Sequence, residues 1–551
     1  MIKKLLVVAC VSFGSLAQVH AAPPKLVVAI LVDQLRYDYM ERFHDQFTEG
    51  GFRLLTDKGA FMTFARYNYC PTITGPGHAS FFSGAPPAMH GIIANDWFDK
   101  RTGQTMYCVA DASVESVGTK TAAGKMSPRN FIGANFSDQM RLHYQSKVLG
   151  ISMKDRGAIL PAGKKPAGAY WFESASGNFI TSSFYKAELP AWVQEFNGRK
   201  RAAQFIGQTW SRLLDPKLYL RPDDAAGEGA LEGEKKPIFD HLIAASKSEG
   251  FETIMPTPFG NQILLEFAQA AIEGEKLGQG PQPDVLSVSF SSIDYCGHKF
   301  GPYSQEVQDI TLRLDRQLEQ LFAYLDKTIG LANIAVVMTA DHGVAPTPEF
   351  AAEQGLDGQR PDANELMKDL VGKLNGRFGP GRYLLTVPGK LLPRMFDGNL
   401  YFNEETLKAK QIAPEALVGF IRDWALSTGK FHAVYGREQL LDGRAPGLIG
   451  ERVMNGFNAE RSGDVVLVFK PYIIPGTGHS GTTHGSPFSY DTHVPVMFYG
   501  TPFLPGRYAD QFNITDIVPT LCAALHIDEP PSSIGKPFTK ALRDEAHASG
   551  R

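Results

Sequence analysis

Residues 25–33 read KLVVAILVD, an unbroken apolar run from 26 to 32 that ends on Asp33. Such a run describes a strand buried on both faces, the usual state of a strand in a parallel sheet. A carboxylate at its C-terminal end sits where open α/β sheets bind their ligands. Two later stretches repeat the arrangement. Residues 285–290 (VLSVSF) lead to Asp294, and residues 334–338 (IAVVM) lead to Asp341 and His342. Three acidic strand ends become neighbours in space if their strands share one sheet.

The segments between fit that sheet. Residues 304–327 carry Val307, Ile310, Leu314, Leu318, Leu321 and Leu325 close to a 3.6-residue period, which predicts a long amphipathic helix. Further helices are expected at 136–146, 262–274, 363–374, 414–426 and 513–525, and further strands at 148–152, 465–469 and 494–499. An amphipathic segment covers 37–55. Alternating strands and helices place the chain in the α/β class, with a central, mostly parallel sheet flanked by helices. The reading is a single domain over 22–551, carrying cap-type insertions at about 157–250 and 350–463.

The 551 residues are 43% apolar and 21% charged, ordinary values for a globular protein. The net charge of −3 gives no basic footprint for nucleic acid. Lys3, Lys4 and the apolar stretch from Leu5 to Leu16 resemble a secretory leader, with cleavage after Ala21. Val7-Val8-Ala9-Cys10 offers a lipoprotein-type cut instead. The mature protein is then periplasmic or secreted, with no later span of about 20 apolar residues to hold it in a membrane. A monomer is expected. Cys70, Cys108, Cys296 and Cys522 form no C-x-x-C pair, so a zinc-thiolate site is not indicated. Cys70 with Cys108 is the first disulfide to test.

Asp33, Asp294, His298, Asp341, His342 and His484 supply three carboxylates and three imidazoles. That is the donor set of two zinc ions with three protein ligands each. Asp341 and His342 are adjacent, so they can face different ways and reach different metals. Aspartates at strand ends also cap helices. His78, His90, His479 and His493 are spare candidates, and His479 or His493 could stand in for His484. Thr74 precedes Gly75-Pro76, a helix start, where its hydroxyl could act as a nucleophile and the helix end attract phosphate. Thr72, Ser80 and Cys70 compete for that role. Lys154 and Arg156, if extended, share one face and could bind two oxygens of a dianionic phosphate, with Asn95 donating to a third. Residues 476–481 match G-x-G-x-x-G, but no helical pattern follows, so a dinucleotide site is not supported.

Thr74-Gly-Pro-Gly-His78 with Asn95, Ala340-Asp-His-Gly343, Thr483-His-Gly485 and residues 514–521 (ITDIVPTL) form an ordered set. It resembles the type I phosphodiesterase/nucleotide pyrophosphatase branch of the alkaline phosphatase superfamily. Within that branch Lys154-x-Arg156 resembles the bacterial, PafA- or PhoK-like alkaline phosphatases. The resemblance implies an alkaline-phosphatase-like fold and two Zn²⁺ ions. Asp294, His298 and His484 would hold one, and Asp33, Asp341 and His342 the other, with Thr74 coordinating the latter. It implies hydrolysis of phosphate monoesters through a phosphothreonine, with Asn95, Lys154 and Arg156 at the phosphate. A phosphodiesterase or nucleotide pyrophosphatase on the same scaffold is the alternative. A non-catalytic exported zinc- or phosphate-binding protein is a third reading.

Overall fold

The computed structural model describes residues 23–476 and 478–543, so the expected leader lies outside the described residues. Ten strands form one sheet. In chain order they are β1 (Leu26–Val32), β2 (Ala60–Met62), β3 (Ser116–Val117), β4 (Val148–Ser152), β5 (Gly168–Glu173), β6 (Asn178–Ser182), β7 (Asp284–Phe290), β8 (Ile334–Thr339), β9 (Val496–Gly500) and β10 (Gly506–Tyr508). Their spatial order is β10-β2-β9-β8-β1-β7-β4-β5-β6-β3. The middle five, β8 to β5, are parallel throughout, and antiparallel pairings appear only outside them. This is the α/β architecture expected from the sequence.

The apolar runs do what an uninterrupted run must. Every side chain of β1, β4, β7 and β8 is buried. Each aliphatic one contributes about 1.5–3 kcal/mol by leaving water. Helices cover both faces. They include α1 (Thr74–Ser83), α2 (Asp155–Ala162), α3 (Pro258–Glu275), α4 (Ser292–Phe300) and α5 (Gln305–Thr328). In α5 the apolar stripe packs inward, and Ser304 caps its start by accepting from the Val307 amide.

Register positions the site. Val32 lies opposite Phe290, Leu31 opposite Thr339, and Ser289 opposite Ser152, so four strands end nearly flush at one edge. The chain leaves that edge at Asp33, Asp341 and Lys154, each within two residues of its strand. Asp294 follows four residues after Phe290.

Several expectations need correction. The 37–55 segment is two short helices, Tyr37–Arg42 and Phe52–Lys58, separated by a 3-10 turn rather than one amphipathic element. Residues 168–182, read as insertion, are β5 and β6 of the central sheet, and every side chain of the aromatic run GAYWFE is buried. The strand Val465–Phe469 is not in that sheet. It lies between Asn399–Leu400 and Phe431–Gly436, over a separate core that includes Leu370, Leu417 and Ile421. Cys70, Cys108, Cys296 and Cys522 are all free thiols, so Cys70 and Cys108 are not bridged. The Cys70 thiol instead donates to the Gly485 carbonyl at 3.4 Å. Among the described residues no helix is long and apolar enough to cross a membrane.

Candidate active site

The sheet edge gathers two groups of three. Asp294, His298 and His484 form one, and Asp33, Asp341 and His342 the other, each with its donor atoms within 4.8 Å of one another. The rings of His342 and His484 stack at 3.4 Å, so the groups abut. Asp294 and His298 lie on α4, four residues apart and therefore on one helical face. Asp341 and His342 fall in the same group, the grouping the family resemblance implied, although adjacent residues could have faced different ways.

The histidines are aimed from behind. Nδ1 of His298, His342 and His484 donates to the carbonyls of Thr482, Gly343 and Thr72, each at 2.9 Å. Each bond leaves the Nε2 lone pair facing the site, the arrangement that orients metal-binding imidazoles. Two of those lone pairs approach the Asp294 carboxylate, at 3.1 Å from His298 and 3.6 Å from His484. Lone pairs facing a carboxylate repel unless a cation joins them. Asp33 Oδ1, Asp341 Oδ2 and His342 Nε2 are buried without a hydrogen-bond partner, a cost of about 1–3 kcal/mol each if nothing binds them. The donors fit divalent metal, and their mix of imidazole and carboxylate suits a borderline cation such as zinc.

The charges agree. Burial and the Asp33 charge push the Asp341 carboxyl well above the usual range. Burial and Asp294 push Asp33 up too, but it is held low, with the Lys154 ammonium the chief opposing charge. Lys154, itself buried, places Nζ 2.5 Å from Asp33 Oδ2 and 2.6 Å from Asp294 Oδ2, and so spans both groups. Burial would lower its pKa, yet the two carboxylates raise it.

Thr74 is the first residue of α1, with Ile73 rather than a hydroxyl residue in the capping position. Its Oγ1 is 3.5 Å from Arg156 Nη2. The competitors are engaged elsewhere. Thr72 donates to Ser486, Ser80 pairs with His90, and Cys70 donates to Gly485. Asn95 Oδ1 accepts from the Gly75 amide at 2.8 Å, which leaves Nδ2 as the outward donor. Lys154 and Arg156 are not in one extended segment. Lys154 is extended and caps α2, while Arg156 sits in its first turn. They reach different partners as a result, Lys154 the carboxylates and Arg156 the Thr74 hydroxyl.

Of the spare histidines, His78 lies behind Thr74, bonded to its carbonyl and to Ser289. His90 and His493 bond outside the two groups, and His479 is exposed on a loop. Residues 478–481 run as loop, and the next helix among the described residues is Ser489–Thr492. Sequence reasoning missed Gln34. Its amide nitrogen donates to Asp294 Oδ1 at 2.7 Å and its backbone N–H to Asp341 Oδ1 at 3.2 Å, so it ties the two groups together. Its left-handed backbone, φ 67°, makes this reach possible just after β1, and no sequence pattern signals it.

The chain resembles known proteins over most of its length. The family model for type I phosphodiesterase/nucleotide pyrophosphatase matches residues 27–487. A protein of Myroides odoratus named calcium-transporting ATPase is 38% identical over 539 residues, covering 96% of this chain and 97% of that one. Alkaline phosphatase PafA of Elizabethkingia meningoseptica is 36% identical over 533 residues, covering 95% of both chains. The crystal structure of wild-type PafA superposes with a TM-score of 0.89 over 95% of this chain and 100% of that one. A match over most of the chain, with two full-length relatives above 30% identity, means that this protein belongs to the type I phosphodiesterase/nucleotide pyrophosphatase family.

Proposed function

We propose that this phosphoric monoester hydrolase is an exported, zinc-dependent alkaline phosphatase that works through a phosphothreonine. The observation that carries the reading is the convergence of Thr74, Arg156 and Lys154 on two adjacent ligand groups. Asp294, His298 and His484 would hold one zinc ion. Asp33, Asp341, His342 and Thr74 would hold the other. When bound, the two ions supply Lewis-acid stabilisation of the hydroxyl and of the leaving oxygen.

The residues of the chain do the rest. Thr74 attacks phosphorus in line from the start of α1, where the helix end favours negative charge. Arg156 and the Asn95 amide donate to oxygens of the transferring group, and the Lys154 ammonium offsets their charge. Water then releases phosphate from Thr74, and two displacements give net retention at phosphorus. The buried Arg156 Nε has no partner within the protein, so one edge of the guanidinium, Nε with Nη2, is available as a planar fork for two oxygens. A dianionic monoester offers that fork more charge than a diester does. Export rests on the leader pattern of residues 3–21.

The test compares a chromogenic phosphate monoester, the matching diester and a sulfate ester, with metal content measured on the same sample. The reading expects monoester turnover to exceed the other two by at least about a hundredfold, with about two zinc ions per chain. A diester preference would instead favour a phosphodiesterase or nucleotide pyrophosphatase. Metal or phosphate binding without turnover would leave only a binding protein.

A further inference from the structure

The hairpin of strands Asp96–Asp99 and Gln104–Tyr107 stands beside α2 and is absorbed by none of the roles above. Its base carries two residues of interest. Asn95 enters it, and its carbonyl accepts from the Cys108 amide at 2.9 Å as the chain leaves. Tyr107, opposite Asp96 in the pairing, turns its hydroxyl to α2. There it accepts from Arg156 Nη1 at 3.0 Å and donates to Asp155 Oδ1 at 2.5 Å. The same carboxylate oxygen accepts the Arg156 backbone N–H at 2.6 Å. Asp155 does not grip the guanidinium itself, since the nearest approach is 4.0 Å. The phenol is the link.

We infer that Tyr107 is a positioning residue that holds Arg156 by Nη1, turns the Nε–Nη2 edge toward the phosphoryl oxygens, and thereby sets the preference for dianionic esters. The inference rests on the reading of Arg156 as a phosphate-binding group. An arginine side chain loses rotamer freedom when it is fixed. The Tyr107–Asp155 pair removes that freedom before substrate arrives. Burial, and then the Asp155 charge against the opposing Arg156 charge, keeps the phenol protonated, so it remains able to donate to Asp155. One element thus places both neutral and cationic donors: Asn95 directly, and Arg156 through Tyr107.

The experiment uses the zinc-loaded full-length enzyme and the variants Tyr107→Phe, Arg156→Ala and the double variant. Phenylalanine keeps the ring and removes only the hydroxyl. We expect Tyr107→Phe to lower monoester kcat/KM by about tenfold or more, with diester kcat/KM within about twofold of wild type. In the Arg156→Ala background the same change should cost less than about twofold, because the group it positions is gone. Asp155→Asn should shift the monoester-to-diester ratio in the same direction, and it serves if Tyr107→Phe folds poorly. Equal losses on both substrates, or an undiminished loss without Arg156, would overturn the role. Arg156→Ala with an unchanged substrate preference would overturn the underlying reading of the site. A changed preference there with none in Tyr107→Phe would overturn only the part given to Tyr107.

Discussion

Gly77 and Asp341 touch backbone to backbone: a Cβ on Gly77 would lie 2.3 Å from the Asp341 carbonyl oxygen and 2.7 Å from its Cβ. This contact seats α1 against the end of β8, and with it Thr74 against the ligand groups. In an ordinary helix Gly→Ala gains about 1 kcal/mol. Here the sign should reverse, because α1 or the Asp341 loop must move. Gly77→Ala is expected to cost about 1–3 kcal/mol and to depress turnover well beyond what the lost stability explains. Thermal unfolding and kcat on the same preparation check it, and a stabilised, fully active variant would show the contact to be unimportant.

Thr74→Ala should reduce monoester kcat/KM by at least about a thousandfold. No phosphoenzyme should be trapped by acid quench and mass spectrometry, while Thr74→Ser should still form one. The fold should survive, since Thr74 makes no capping bond that α1 depends on. Turnover that persists in Thr74→Ala would assign the nucleophile elsewhere.

Chelation should lower both activity and melting temperature, and Zn²⁺ should restore them together. The reason is the set of buried, unpartnered donors on Asp33, Asp341 and His342. Metal at about 100 times its Kd adds roughly 2.7 kcal/mol per site if it binds only the folded chain. Asp341→Asn should bind about one zinc ion fewer and lose less melting temperature on chelation than the unaltered protein, because the Asp294, His298 and His484 group is intact. A melting temperature insensitive to chelator in the unaltered protein would count against a metal centre.

His241 gives a pH test away from the active site. It is buried between Glu234 and Glu306, at 3.0 and 3.2 Å. Burial works against its charge, but the two glutamates outweigh burial and hold its pKa up at about 9. A histidine raised above its unfolded value of about 6.5 stabilises fully below that value, and the contribution is lost as pH rises through about 9. The melting-temperature gap between wild type and His241→Gln should therefore be wide at pH 6 and narrow by pH 10. A gap that stays constant over that range would mean the pair is not charge-based.

The middle of the fold was legible because β1, β7 and β8 are buried on both faces, and such strands must be continuously apolar. Their acidic ends followed from the same runs. β5 and β6 were missed because each is short, β5 following a cluster of glycine, proline and lysine and β6 lying between Gly177 and serines, so the aromatic stretch GAYWFE looked like part of an irregular region. Lys154 and Arg156 were recognised as important on a mistaken geometry. An i, i+2 pair shares a face only in extended chain, and α2 begins between them. Gln34 and Tyr107 left no trace in periodicity or motif, because their importance lies in what their polar atoms meet across the fold.

The flush strand ends also bear on how the molecule comes to be made. Each ligand group draws one member from far along the chain: His484 joins Asp294 and His298, and Asp33 joins Asp341 and His342. The second group is complete only after β1 has paired with β8, more than 300 residues later. Pairings so remote form late and slowly. A nascent or partly folded chain therefore has local Asp–His pairs but no finished cage, and metal capture becomes a report that the whole sheet has closed.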